Sequence, residues 1–238
     1  MIDFHTHILP GMDDGAADSA EALEMLCLSR QQGVDTVFAT SHFYADEEDP
    51  SSFLRRRSTA YRKLREDYAS VKNDIGEIPV ILPGAEILYF PGMADCEELK
   101  PLALGDLGLL LIEPPVAPFT SSMLNEIEAV EQNLGLVPVI AHLDRYCRLL
   151  NDFTLFDQLA GRRMLIQVNA SFFLHKDTED FAIEMLRRGM FQLLGSDCHN
   201  TTTRPPSFGA AAAKIREKNC SKDLAKLNAV AYNMLSLK

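Results

Sequence analysis

Residues 1–15, MIDFHTHILPGMDDG, place two histidines one residue apart at the end of an apolar run. Side chains alternate between the faces of an extended segment, so the spacing predicts that His5 and His7 share a face with Asp3. Two imidazoles on one face can hold a metal ion, and Asp3 could orient an imidazole or bind the metal itself. Two surface histidines near a flexible chain start are the alternative for this stretch taken alone.

Six further short apolar runs follow, with helical patterns between most of them, and each run is typical of a buried parallel strand. The runs begin at Val34, Val80, Leu109, Val137, Leu165 and Phe191. Helices are predicted over 19–32, 122–134 and 178–188, and a glycine suited to a helix C-terminus ends each of them. Seven strand-then-helix units without a linker predict one α/β domain over residues 1–238, closed or nearly closed into a barrel. A doubly wound open sheet is the alternative.

The composition excludes several classes of protein. The net charge of −11, from 34 acidic and 23 basic residues, argues against a general binder of nucleic acid or of membrane surfaces. We interpret the one basic cluster, RRRSTAYRKLR over 55–65, as a solvated helix face. Five cysteines without a CxxC pair indicate neither a disulfide framework nor a thiolate zinc site, which suits a reducing compartment. No signal region or membrane-spanning run is recognisable, so we expect a cytoplasmic protein without membrane insertion.

Metal-capable side chains stand at the ends of six of the seven runs, where parallel α/β folds gather their active groups. Asn169 ends the remaining run, Asp13 and Asp14 add carboxylates to the same rim, and we interpret His175 as structural or surface. Imidazoles and carboxylates crowded together need cations to balance them. A ligand set of His, Asp and Glu without Cys suits Mn, Fe or Zn, and it exceeds what one ion needs, so we expect two or three ions. The residues at the run ends are His5, His7, His42, Glu86, Glu113, His142, Asp197 and His199.

The chain resembles the PHP (polymerase and histidinol phosphatase) superfamily through MIDFHTHILPGMDDG, TSH, GAE, AHLDRY and GSDCHN followed by RPP, with a glutamate closing the fourth run. It is most similar to the superfamily's bacterial manganese-dependent protein tyrosine phosphatases of capsule and exopolysaccharide synthesis. The motifs occur in the family's order from residue 1 to about residue 206. The resemblance implies a distorted seven-stranded (β/α)7 barrel with a trinuclear metal site at its mouth.

The resemblance also implies roles for individual residues. Arg145 and Arg204 match arginines that bind the substrate phosphate, and the rim histidine His42 is a candidate proton donor. Phe43 departs from the family, which commonly has a basic or polar residue there, so we expect an altered substrate-facing rim. The tail over 219–238 has no firm match and leaves a homo-oligomer open. The residues matching metal ligands are His5, His7, Asp14, His42, Glu86, Glu113, His142, Asp197 and His199.

The expected reaction is hydrolysis of phosphotyrosine on a protein, with the tail of a bacterial tyrosine kinase as the substrate. Two ions about 3.5 to 4 Å apart can hold a hydroxide that attacks phosphorus in line, without a covalent phosphoenzyme. Arg145 and Arg204 would neutralise charge on the non-bridging oxygens.

Other functions stay open at this stage. Cys198 and Arg204 have the Cys-x5-Arg spacing of thiolate-dependent tyrosine phosphatases, but the loop lacks glycine, two prolines follow Arg204, and Asp197 would raise the thiol pKa. We therefore interpret that spacing as a coincidence. A phosphatase of a small ester such as histidinol phosphate is the enzymatic alternative, and a nuclease is disfavoured by charge. A catalytically silent metal-binding regulatory module is the alternative outside enzymes.

Overall fold

The computed structural model describes residues 1–236, in an α/β architecture whose paired strands run parallel. Leu237 and Lys238, the end of the predicted domain and tail, lie outside the described residues. The strands are β1 (Ile2–Thr6), β2 (Thr36–Ala39), β3 (His42–Phe43), β4 (Val80–Pro83), β5 (Glu86–Leu88), β6 (Leu109–Glu113), β7 (Val137–Ile140), β8 (Leu165–Asn169) and β9 (Leu193–Gly195). The α-helices are α1 (Ser19–Gln31), α2 (Pro50–Ile75), α3 (Ser121–Leu134), α4 (Leu143–Leu149), α5 (Leu155–Leu159), α6 (Glu179–Arg188), α7 (Phe208–Glu217) and α8 (Ser221–Ser236). Short 3-10 helices cover Met93–Asp95, Glu97–Leu102 and Ala170–Phe173.

The parallel α/β class is confirmed, but the strands are not seven continuous ones. The second predicted run leads into two strands, β2 and β3, and the third into β4 and β5. The first strand of each pair joins β1 in a three-stranded sheet, in the order β1-β2-β4. The second strand of each pair belongs to a six-stranded sheet, in the order β3-β5-β6-β7-β8-β9. The breaks fall at residues 40–41 and 84–85. Close packing accompanies the second break, because a Cβ on Gly84 would lie 2.7 Å from Leu104 Cδ2.

Backbone contacts join the two sheets beyond the ends of β1 and β9. Thr6 and Cys198 form an isolated parallel bridge. The Asp197 amide donates to His5 O at 2.8 Å, and the His7 amide donates to Cys198 O at 2.9 Å. The carboxyl ends of strands from both sheets therefore face one shared rim, which brings the chain start next to the GSDCHN segment.

The predicted helices are confirmed to within one residue at their ends. Asp18 caps α1 by accepting from the Glu21 amide at 3.0 Å, as side chains at this position do. Gly135 and Gly189 end α3 and α6 in the left-handed conformation that glycine tolerates best. The basic cluster lies on α2 and is largely exposed, as predicted, with one correction. Arg57 is buried and donates to Gly84 O at 2.8 Å and to Pro101 O at 3.0 Å.

Apolar side chains from both sheets form a buried cluster below the rim, and a larger buried cluster packs the strands against the helices. The smaller cluster combines strand residues with Ala231 of α8. Its members are Ile2, Phe4, Phe38, Leu104, Leu109, Leu111, Val139, Ala141, Leu193 and Ala231. The polar rim thus rests on a packed apolar floor. Over residues 1–236, no helix combines the length and hydropathy that a bilayer crossing requires.

Candidate metal centre

The structure brings all nine residues predicted as metal ligands to one end of the strands. Seven of them form three overlapping groups whose ligand atoms lie within 4.8 Å of one another. The groups share His7, His42 and Glu86, as expected where neighbouring ions are held by common ligands. They are His7 with Asp14, His42 and His199; His5 with His7 and Glu86; and His42 with Glu86 and Glu113.

Glu86 lies at the middle of the cluster. Its Oε2 atom is 3.0 Å from His42 Nδ1, 3.1 Å from His5 Nε2 and 3.2 Å from His7 Nε2. Its Oε1 atom is 2.7 Å from His142 Nε2, and the carboxylate is buried. One carboxylate from β5 is therefore surrounded by four imidazoles that come from three separate segments of the chain.

Two ligand positions have a backbone conformation that non-glycine residues rarely adopt. His142 has φ +30° directly after β7, and Asp197 has φ +55° shortly after β9. Such conformations cost of order 1–3 kcal/mol each and concentrate at functional sites. Asp197 Oδ1 lies 3.6 Å from His5 Nε2 and 3.5 Å from His7 Nε2. The strained turns thus bring both side chains into the cluster.

Two glycines allow the closest approaches around the cluster. A Cβ on Gly15 would lie 2.2 Å from His7 O, and a Cβ on Gly195 would lie 2.5 Å from His5 Cβ. Any side chain at either position would displace a histidine of the cluster. The glycines of GMDDG and GSD therefore have a steric role at this site.

The outer side of the cluster is more open and carries the two predicted arginines. Arg145 contacts Asp197 Oδ2 and lies 3.3 Å from Glu113 Oε1, and Arg204 lies 2.8 Å from Asp197 Oδ2. Asp14 Oδ1 lies 3.3 Å from His199 Nε2. Two guanidinium groups therefore meet at one carboxylate, where each has further donors for an incoming anion.

The donor set fits divalent cations. Among residues 1–236, five buried atoms of the cluster residues have no hydrogen-bond partner. Buried polar atoms are almost always paired in folded proteins, so converging unpaired ligand atoms indicate a missing shared partner. Mixed imidazole and carboxylate ligands suit Mn, Fe or Zn. The five atoms are His42 Nδ1, Glu86 Oε2, His142 Nδ1, Asp197 Oδ1 and His199 Nε2.

The electrostatics of the cluster favour positive charge. Burial works against a charged His7, but the close carboxylates of Asp13 and Glu86 outweigh it and raise the His7 pKa to about 10. Burial likewise opposes ionisation of Glu86, yet the charge of His5 and a hydrogen bond from His142 hold the Glu86 pKa well below its usual value. Burial and the charge of Glu86 raise the pKa of Glu113 to about 7. A divalent cation can supply the same positive charge and release the imidazole protons.

Comparison with known proteins decides the family. A family model described as capsular polysaccharide synthesis, CpsB/CapC, matches residues 1–234. The chain belongs to the CpsB/CapC family. The tyrosine-protein phosphatase YwqE of Bacillus subtilis (strain 168) is 30% identical over 214 residues, which are 86% of this chain and 79% of YwqE. The tyrosine-protein phosphatase CpsB of Streptococcus pneumoniae is 30% identical over 242 residues, which cover 95% of this chain and 94% of that protein.

A solved structure gives the same assignment. It comes from crystal structures of YwqE from Bacillus subtilis and CpsB from Streptococcus pneumoniae, described as unique metal-dependent tyrosine phosphatases. Its TM-score against this chain is 0.82 at 26% identity, with 100% of this chain and 94% of that chain covered. The predicted resemblance to metal-dependent bacterial tyrosine phosphatases is therefore confirmed.

Sequence reasoning missed two residues that support the cluster of this CpsB/CapC protein. Gln167 is buried within β8, where its Oε1 lies 3.2 Å from His5 Nδ1 and accepts from the His142 amide at 2.6 Å. Tyr44 stacks on His42 with ring centroids 5.2 Å apart. The only signal for Gln167 was an amide inside the otherwise apolar run LIQVN. Tyr44 gave no signal, because an aromatic after a strand is ordinary.

The two carboxylates of the GMDDG loop have different surroundings. Asp14 contacts His42 and His199 directly. Asp13 instead lies 2.8 Å from His7 Nδ1 through Oδ2 and accepts from the His42 amide at 2.9 Å. Asp13 is thus placed to orient His7, in the manner of carboxylates behind ligating histidines.

Several expectations need correction. Asp3 belongs to none of the three ligand groups: its Oδ1 accepts from the Ser196 amide at 2.8 Å and from the His5 amide at 3.2 Å. Phe43 does not alter the substrate-facing rim, because it is buried against Phe53. His175 is half-buried and lines a cleft beside the arginines, so it lies next to the site.

The alternative built on a cysteine nucleophile also fails. Cys198 is fully buried, and burial raises the pKa of its thiol well above the usual range. Arg204 turns its guanidinium to Asp197 and Asp14. A reactive thiolate needs exposure and a lowered pKa, and Cys198 has neither.

Proposed function

We propose that this protein is a metal-dependent protein tyrosine phosphatase whose substrate is a phosphotyrosyl protein of capsule or exopolysaccharide synthesis, a bacterial tyrosine kinase. One observation carries the proposal. Three imidazole nitrogens lie within 3.2 Å of Glu86 Oε2, beside two arginines that converge on Asp197. A site for two or three divalent cations next to a pair of anion-binding guanidinium groups suits phosphoryl transfer. Family membership and the phosphatase names of the relatives support the same chemistry.

The proposed ligands are the nine residues of the cluster, and the proposed metal is manganese, with iron or zinc as the alternatives. The number of overlapping groups, three, supports a site for two or three ions. When bound, such ions lower the pKa of water and neutralise charge on the phosphoryl group. The ligands are His5, His7, Asp14, His42, Glu86, Glu113, His142, Asp197 and His199.

The chain's own residues position the phosphate and manage the leaving group. Arg145 and Arg204 bind non-bridging oxygens of the phosphate with guanidinium donors not used on Asp197. His42 keeps 14% of its side chain exposed at the rim and is the proposed proton donor. Phenolate is a good leaving group, since tyrosine ionises near pH 10, so little help from an acid is needed. Without an exposed thiolate at Cys198, we propose direct transfer to water and no phosphoenzyme.

The proposed working unit is one distorted (β/α)7 barrel formed by the two sheets together. The bridge between Thr6 and Cys198 supports this view, because it places β1 next to β9. In this barrel β2 and β3 together count as one broken strand, and β4 and β5 together count as another. The unit is proposed to act as a single domain in the cytoplasm.

Metal removal tests the function. The protein is stripped with EDTA, dialysed, and titrated separately with Mn²⁺, Fe²⁺ and Zn²⁺ while phosphate release from a phosphotyrosyl peptide and from histidinol phosphate is followed. We expect loss of activity on stripping, recovery that is greatest with Mn²⁺, two or three bound ions per chain, and preference for the peptide. Activity that survives removal of all metal, or equal turnover of histidinol phosphate, would contradict the proposal.

A further inference from the structure

A cleft continues from the arginines away from the metal centre. Its volume is about 930 Å³, and its walls include α4 on one side and the segment over 171–177 on the other. Arg145, Asp197 and Arg204 border its inner end, and Arg148 and His175 also line it. The phosphate-binding arginines are thus one end of a longer depression.

The size of the cleft exceeds what one phosphorylated side chain occupies. Pockets of about 300–1,000 Å³ enclose a whole drug-sized ligand, and this cleft is near the upper end of that range. Leu149 is 56% exposed, while Phe153 and Leu174 are half-buried in the same lining. A wall that mixes apolar and polar groups suits a peptide, so residues adjacent to the phosphotyrosine also enter the cleft.

Arg148 is placed to read one of those residues. It follows Arg145 by three positions on α4, a spacing that puts Cβ atoms about 5–6 Å apart on one helix face. An extended peptide advances about 3.3 Å per residue. The two arginines therefore share one face of α4 and one cleft lining, so a peptide whose phosphate binds Arg145 brings residues next to the phosphotyrosine past Arg148.

The present partner of Arg148 is easily replaced. Its Nε atom lies 3.7 Å from Asp177 Oδ2, and both side chains are well exposed. Exposed pairs of this kind contribute little, because water screens them. A carboxylate of the substrate can bind the same guanidinium through its remaining donors, in the bidentate geometry that arginine favours.

We propose that Arg148 is a specificity-determining residue that binds an acidic side chain one or two residues from the phosphotyrosine. The inference rests on the proposed function and deepens it by naming the substrate class, an acidic phosphotyrosyl segment. The cleft lining carries three arginines against three aspartates in a protein with a net charge of −11, so an acidic segment is repelled less here than by the surface as a whole.

Three phosphotyrosyl peptides test the inference on the manganese-loaded protein. They differ only at the two positions on each side of the phosphotyrosine, and these four positions are all Glu, all Ala or all Lys. We expect kcat/KM to be about fivefold higher for the Glu peptide than for the Ala peptide, through KM, as a solvent-exposed ion pair allows. The Lys peptide should be the poorest substrate.

Substitutions assign the preference to Arg148. The ratio of Glu to Ala peptide should fall to about one in Arg148→Ala, invert toward Lys in Arg148→Glu, and be retained in Arg148→Lys. Arg163→Ala is the matched control, because Arg163 forms a similar exposed pair with Glu131 at 3.7 Å and lies outside the cleft. That control should keep the wild-type ratio.

The outcomes separate the two proposals. Equal hydrolysis of the three peptides by the wild type, or an unchanged ratio in Arg148→Ala and Arg148→Glu, overturns the inference and leaves the phosphatase proposal standing. No metal-dependent hydrolysis of any peptide overturns the phosphatase proposal, and the inference fails with it.

Discussion

The inner and outer sides of the candidate metal centre differ sharply in burial. The inner side consists of His5, His7, Glu86 and His142, whose side chains are at most 1% exposed. The outer side consists of Asp14, Arg145 and Arg204, with side chains 65%, 31% and 38% exposed. The inner groups are fixed by packing before any substrate arrives, whereas the outer groups face water and can exchange partners.

This difference in burial changes how strongly the charged groups on each side interact. Buried carboxylates and imidazoles interact strongly because little water screens them, and they are costly unless they are balanced. Exposed arginines gain less from each contact but can be reached by a diffusing substrate. We therefore expect substitutions of the inner residues and of the ligand Asp14 to act through metal binding, and substitutions of the two arginines to act through phosphate binding.

The largest effect is expected from Glu86→Gln, which removes the central charge of the inner side. Divalent cations supply several kcal/mol of charge stabilisation, so their loss should lower kcat/KM by about a thousandfold or more. Elemental analysis should show fewer ions per chain. Glu128→Gln, which alters contacts to Arg162 and to the Arg163 amide, each at 2.9 Å, is the control and should keep its metal. A Glu86→Gln protein with full metal content and near-normal activity would contradict the proposal that the inner residues act through metal binding.

Arg204→Ala tests the outer side. The guanidinium touches Asp197 and, in our proposal, stabilises phosphoryl oxygens, so kcat/KM should fall by about a hundredfold, as for loss of one preorganised donor. The metal content should stay at the wild-type level, in contrast to Glu86→Gln. Arg216→Ala on the exposed part of α7 should behave as wild type. Loss of metal from Arg204→Ala would contradict this prediction and would show that the Arg204 guanidinium supports metal binding.

A smaller effect is expected from Gln167→Leu, which leaves the ligands in place but removes the acceptor beside His5 and His142. Partners behind ligating histidines typically contribute about 10- to 100-fold in metal affinity. The apparent Kd for manganese should rise by that factor, with much of kcat restored at saturating metal. Gln192→Leu, which loses an acceptor for the Ile166 amide, controls for general destabilisation. An unchanged Kd for manganese would mean that Gln167 only fills space.

Gln167 also shows why the sequence predicts some parts of this site and not others. The strands and their polar ends could be recognised from the apolar runs, because the rule that active groups gather at the carboxyl ends of parallel strands is general. His5, His42 and Glu86 were found in this way, and the structure places both imidazoles within 3.1 Å of Glu86 Oε2. Gln167 lies inside a strand, where its contacts depend on how neighbouring segments pack.

The sequence also gave no sign that the second and third predicted strands are each interrupted. Residues 40–41 and 84–85 continue apolar runs, yet the chain leaves one sheet there and enters another. The failure with Asp3 has a related cause, since its carboxylate accepts from the Ser196 amide of a segment distant in sequence. Local pattern thus predicted which residues reach the rim, and tertiary packing decided how the strands divide.

The smallest effect is expected from Cys198→Ser. Cys198 belongs to neither the inner nor the outer side of the metal centre, although it lies between the proposed ligands Asp197 and His199 in the sequence. Its side chain is fully buried, and burial raises its thiol pKa. A serine of similar volume must bury a hydroxyl, so the free energy of unfolding should fall by about 1 kcal/mol while most activity remains. Thermal melts and kcat/KM on a phosphotyrosyl peptide measure the two quantities. If activity were lost while the metal content stayed normal, and a phosphorylated cysteine could be trapped in the wild type during turnover, attack by a thiolate would replace direct transfer to water.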